Sequence, residues 1–179
     1  MDIKDLDRLT DELNQLRQSE NWSGLAEKAR EYIQTEPDLA LVLRALVQAL
    51  ERLGRKDSEY EKTLGRLLEL QDRVVETAQR LAQYFLEHGK KAEAVRHLEI
   101  ALEAAAAERQ YDKIEELWLE MVEQEPQNLD FFFRIAESLN SHKQRQRAAV
   151  LLQMLLPSAE ERNDGPNRFR LLRRILEYT

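Results

Sequence analysis

The sequence predicts an all-α chain of consecutive antiparallel helices. Three observations carry this. Apolar residues recur at spacings of three and four along nearly the whole length, as in Leu6, Leu9, Leu13 and Leu16. Breakers are scarce, with five glycines and four prolines in 179 residues, and all but Gly65 fall near the end of a periodic stretch or in a polar one. Val and Ile are scattered inside those stretches and never form the alternating runs of strands.

The elements follow in order. A first helix is expected over about 3–18 and a second over 22–35, stopped before Pro37. The third, about 39–53, meets Gly54, a left-handed C-cap. The fourth starts near Ser58, where Ser58 and Glu61 have capping-box spacing. The fifth, about 74–88, stops at Gly89; the sixth runs from Lys91 towards Arg109 through an alanine run suited to close packing. The seventh, 112–125, opens on a second capping-box spacing, Asp112 and Glu115, and ends before Pro126. Helices over 129–139 and 144–156 follow, with Pro157 ending the latter. SAEERNDGPNR, residues 158–168, reads as a polar connector with DGP turn chemistry, and 169–178 as a last short capping helix. The division expected is therefore 1–157 for the helical array and 158–179 for connector and cap.

Composition excludes several functions. Without cysteine there is no disulfide, thiolate chemistry or Cys-ligated metal. A formal charge of −7 argues against nucleic acid as the main partner. The start MDIKDLDRLT lacks signal-peptide character, and no apolar run approaches the roughly 20 residues that span a bilayer. A soluble cytoplasmic protein is expected. His88, His97 and His142 lack metal-site spacing, and Glu115–Glu116 and Glu160–Glu161, being adjacent on a helix, point apart. No enzyme activity and no cofactor are expected. The basic stretch from His142 to Arg174 also contains Glu160, Glu161 and Asp164 and lacks interleaved aromatics, so a solvated face or a contact to an acidic protein is as good a reading as phosphate binding.

The chain resembles the tetratricopeptide repeat, a pair of antiparallel helices in about 34 residues. Residues 75–108 carry this best. Ala82 and Phe85 match the small and aromatic places of the first helix, Gly89 the turn, and Ala94, Leu98 and Ala101 the small, large and small places of the second. The same frame fits 6–39, and it fits 129–162 with Lys143 at the turn. In 40–73, Glu59 and Thr63 stand where small and large apolar residues belong. Ile114, Trp118, Met121 and Pro126 match a second helix, but only 20 residues after the corresponding helix before it. The phase slips there, and helix six is expected to partner both sides. A generic alpha-alpha solenoid or a HEAT-like stack would accommodate the slip equally. The resemblance implies a right-handed alpha-alpha solenoid with irregular phase, acting as a protein-binding adaptor or scaffold.

The family binds peptides or helices on a concave face made by the first helix of each pair. Carried over by position, the groove candidates are Asn14, Arg44, Gln48, Gln79, Gln83, Glu87 and Phe133. Gln48, Gln79 and Gln83 replace the Asn and basic residues of the carboxylate clamp, which sets a chaperone-tail ligand aside. Within FFF, residues 131–133, Phe132 aligns with Ile135, Ala136 and Leu139 as core, while Phe133 faces either the groove or a neighbouring helix. Trp118, inside the stripe Ile114–Met121, reads as core. A second resemblance rests on IEELWLEMVEQEPQNLDFFFRIAESL, residues 114–139. It is similar to the helical N-terminal region of long bacterial Gre-type transcript cleavage factors and implies an accessory domain contacting transcription machinery. The acidic-tipped coiled coil of those factors is not in this sequence.

Overall fold

The computed structural model describes residues 3–179, with side chains from Asp5 onward. Met1 and Asp2, which open the stretch read as lacking leader character, lie outside the described residues. Eleven helices are formed among the described residues: α1 Ile3–Gln18, α2 Trp22–Thr35, α3 Ala40–Arg52, α4 Ser58–Glu69, α5 Val74–Glu87, α6 Lys91–Ala107, α7 Tyr111–Gln124, α8 Leu129–Ser141, α9 Arg145–Gln153, α10 Leu156–Glu161 and α11 Gly165–Tyr178. The fold is an all-α, tetratricopeptide-like solenoid of paired antiparallel helices with irregular spacing. Two compact units can be distinguished, residues 1–84 and 85–179.

One turn recurs and explains both the pairing and the irregularity. At seven helix ends a single residue takes a left-handed φ, and the next N–H reaches back to a carbonyl five residues earlier. This satisfies carbonyls that the helix end would leave open and reverses the chain tightly. The left-handed residues are Glu20, Gly54, Gln71, Gly89, Arg109, Lys143 and Asn163. Only two are glycine. At Gly54 (φ 66°) and Gly89 (φ 70°) nothing lies within 4 Å of an added Cβ, so backbone conformation alone favours glycine there. The step from Glu20 to Gly54 is 34 residues, and from Arg109 to Lys143 again 34, but only 20 separate Gly89 from Arg109. The slip seen in the sequence is thus an extra helix joined by the same turn.

In the first unit α1 packs on α2, α2 on α3 and α3 on α4. Leu9, Leu13, Leu25, Ala29, Ala45, Leu50 and Leu64 are buried between them. The small residues permit close helix approach and the leucines fill what remains. In the second unit α6 packs on both α7 and α8, α8 on α9, and α11 on α9 and α10. Trp118 and Phe132, both fully buried, meet at 4.6 Å between ring centroids, with Phe131 at 6.0 Å from Phe132. The core readings of Trp118 and Phe132 match this packing.

Four local expectations are corrected. α4 is capped by Asp57, whose carboxylate accepts from the Glu59 N–H at 2.9 Å; Ser58 is already helical. Asp112 lies inside α7, which opens one residue earlier behind Gln110 without a side-chain cap. Pro157 sits in the first turn of α10 rather than after a helix, a place where its missing N–H costs nothing. The DGP stretch is the start of α11: Asp164 accepts from the Asn167 N–H at 3.2 Å, and Pro166 lies in the first turn.

Candidate functional site

The first unit contains a cavity of about 610 Å³ framed by α1, α3, α4 and the start of α5. Leu41, Leu64 and Leu67 supply its apolar wall. Its polar lining is dominated by five arginines, Arg17, Arg44, Arg52, Arg73 and Arg80, against three carboxylates, Glu51, Asp72 and Glu76. In a chain of net charge −7 this is a local reversal of sign. Helix periodicity builds it. Arg44, Gln48 and Glu51 are successive turns of one face of α3, and Glu76, Thr77 and Arg80 share one face of α5, with Arg73 in the turn just ahead of it at φ 45°.

The partners of these arginines differ. Arg44 pairs with Asp72 at 2.6 Å, and Asp72 is held in turn at the head of α5, where its carbonyl accepts from the Thr77 hydroxyl at 2.9 Å. Arg80 lies 3.7 Å from Glu51, whose carboxylate also accepts from the Tyr60 hydroxyl at 2.7 Å. Arg17 meets only neutral acceptors among the described residues, Gln48 at 2.8 Å and Asn14 at 3.0 Å. Arg52 lies over the Trp22 ring, 5.4 Å from its centroid. Arg52 and Arg73 have no carboxylate within ion-pair distance among the described residues. Burial holds the Arg17 pKa below its ordinary value, and the nearby Arg44 charge lowers it further. Desolvation of the guanidinium is the larger cause and the neighbouring like charge the smaller.

The residues named from the sequence distribute as follows. Arg44 and Gln48 line the cavity together, and Asn14 is tied to it through Arg17. Gln83 is exposed one turn beyond Arg80, while Gln79, one turn before Gln83, is only 7% exposed. Glu87 is exposed near the end of α5. In the second unit Phe133 is half-buried beneath the Arg170 and Arg174 guanidinium groups, at 5.4 and 5.5 Å from its centroid. Arg17, Arg52, Arg73 and Arg80 were not singled out from sequence. Arg17 was within reach, since it lies one turn beyond Asn14 on the same face.

A second opening of about 570 Å³ lies where α2, α3 and α4 meet. It coincides with the two departures from the repeat pattern. Glu59 receives a two-pronged contact from Arg30 of α2, at 2.7 and 2.8 Å, and the Thr63 hydroxyl donates to the Glu59 carbonyl at 2.7 Å. The hydrogen bonds from Arg30 hold the Glu59 pKa below the usual carboxylate range. A long ion pair stands where small and large apolar side chains would have closed the helices together.

The basic segment of the second unit is largely compensated. Arg147 faces Asp112 and Glu115, Arg168 faces Glu160, Arg170 faces Asp130, and Arg174 faces Glu137 and Glu177. His97 Nδ1 lies 2.7 Å from the Glu93 carbonyl, and its ring packs on Phe85. Among the described residues, no group of three or more His, Asp or Glu is placed to hold a metal ion. Nor is any helix among them long and apolar enough to cross a membrane.

No family model matches the chain. Over 138 residues, 77% of its length, it is 27% identical to a GreA-associated domains protein of Treponema pallidum (strain Nichols). The chain spans about a fifth of the length of that relative, the matched part being 21% of it. Among solved structures it is similar to MamA, at 13% identity and TM-score 0.47, over 89% of this chain and 94% of that one. It is likewise similar to YrrB, described as a TPR protein with an unusual peptide-binding site, at 12% identity and TM-score 0.46, over 90% and 88% of the two chains.

Proposed function

We propose that the chain is a non-enzymatic interaction module that binds a peptide or helical segment of a protein partner. The observation that carries this reading is the cavity of about 610 Å³ whose wall includes Arg44 and Gln48. It is of the size that takes several side chains of a ligand. Most of its lining projects from α1, α3, α4 and α5, with Asp72 and Arg73 in the turn between the last two. On this reading Arg44 and Gln48 form the centre of the site, with Asn14 and Gln83 at its margins. Gln79, being buried, supports the helix, while Glu87 and Phe133 lie outside this cavity. The test is calorimetry with a partner captured from lysate. Arg44→Glu with Gln83→Glu is expected to weaken binding while helical content stays unchanged. Equal affinity of variant and wild type excludes this face.

A second reading is favoured by one observation, the 27% identity to the GreA-associated domains protein over 77% of the chain. On it, the chain serves as an accessory helical domain of a larger transcription protein and contacts transcription machinery. Affinity capture from bacterial lysate at physiological salt tests this. Enrichment of RNA polymerase subunits is expected, and a capture containing other complexes but no polymerase contradicts it.

A further inference from the structure

We infer that the α1–α3–α5 cavity accepts an acidic peptide segment, its side-chain carboxylates seated against Arg17, Arg52 and Arg73. This rests on the interaction-module reading above and specifies the ligand's chemistry. The cavity's positive charge is only partly matched. Arg44 and Arg80 already face Asp72 and Glu51. Arg17 holds two amide oxygens, Arg52 an aromatic face, and Arg73 no side-chain partner among the described residues. A partly buried guanidinium with neutral acceptors gains a charge-assisted, two-pronged contact when a carboxylate arrives. A carboxylate seated there also offsets the burial and the Arg44 charge that together lower the Arg17 pKa. Glu76, the lining carboxylate without an ion pair among the described residues, sits on the exposed side of α5 and limits the excess to two positive charges.

That interleaving also selects the class of ligand. A polyphosphate backbone carries closely spaced negative charge and meets Glu51, Asp72 and Glu76 as well as the arginines. A peptide can place a few carboxylates at the unmatched cations and neutral groups elsewhere, against Gln48, Thr77 and the leucine wall.

The experiment is an array of immobilised random-sequence peptides probed with the full chain. Three variants are compared: Arg17→Gln with Arg52→Gln, Arg73→Gln alone, and Arg96→Gln as an exposed cation outside the cavity. The expected result is enrichment of acid-rich peptides, weakened by added salt. Affinity for the strongest peptide is expected to fall roughly tenfold or more in the double variant and to be unchanged in Arg96→Gln. Arg73→Gln, which has no side-chain contact to lose, is expected to weaken binding without touching the fold. The same peptide should alter Trp22 emission as Arg52 leaves the ring, a signal abolished by Trp22→Phe. Enriched peptides without acidic bias, or acid-rich peptides bound equally by the arginine variants, overturn the inference and leave the interaction-module reading standing. Oligothymidylate bound through the same arginines, with acidic peptides ignored, overturns it in favour of phosphate. No enrichment of any peptide overturns both.

Discussion

The helices α2–α4 of the first unit and α6–α9 of the second are built on the same turn, yet one stays open and the other closes. In the second unit Ala101, Trp118, Phe132, Ala136, Ala148 and Leu152 occupy the repeat's small and large places, and all are buried. In the first, Glu59 and Thr63 take those places on α4, Arg30 bridges the gap, and a cavity remains. The backbone reversal is therefore independent of what fills the pair. Packing residues decide whether a helix pair is a closed support or a surface with room for a ligand.

The comparison can be broken most severely at the closed end. Phe132→Ala removes a fully buried ring packed at a tilt against Trp118 and is expected to cost about 3–5 kcal/mol, read as a lowered denaturant midpoint. A midpoint equal to wild type would show that the aromatic core is not what holds the second unit.

The shared turn gives the next effect. Gly89→Ala places a Cβ on a left-handed residue and is expected to cost about 1 kcal/mol, while Arg109→Gly relieves the same strain and should gain a similar amount. Opposite shifts in thermal midpoint are the signature. Shifts of the same sign would mean that the two turns are held by different forces.

The open end responds less and depends on pH. Glu59→Gln weakens the contact with Arg30 and is expected to cost no more than about 1 kcal/mol at neutral pH, because both side chains are partly solvated. The folded-state pKa of Glu59 lies below its unfolded value. Its stabilisation is therefore present above the unfolded carboxylate pKa and is lost as pH falls through the folded one. Wild type and variant should converge in acid. A difference that persists there would assign the effect to packing rather than charge. Smallest of all, Arg66→Ala removes a solvent-exposed pair with Asp38 and is expected to leave the midpoint unmoved.

Sequence periodicity located ten of the helices well, because a stripe such as Leu9–Leu13 or Trp118–Met121 can be buried only as a helix. It was weaker at the ends. Ser58 and Asp112 carry cap chemistry in their side chains, but capping is decided by which residue leaves the helix first, and that was Asp57 in one case and Gln110 in the other. α10 escaped because six residues with a proline in second place leave no periodic signal. Four of the seven left-handed turns escaped because Glu20, Gln71, Arg109 and Asn163 lack glycine's mark, whereas the repeat frame marked Lys143. Of the candidate site, Arg44 and Gln48 were legible from one helix alone. The arginine cluster around them was not, since Arg17, Arg52, Arg73 and Arg80 come together only when three helices set their relative rotation.

The most direct measurement is site-specific photo-crosslinking in lysate, with a crosslinking residue placed at position 48 in the cavity wall and, separately, at position 96 on α6. The account predicts a discrete protein adduct from position 48 that disappears when Arg17 and Arg52 are changed to glutamine, and none from position 96. The same adducts from both positions, or an adduct from position 96 alone, would contradict the assignment of this cavity as the binding face.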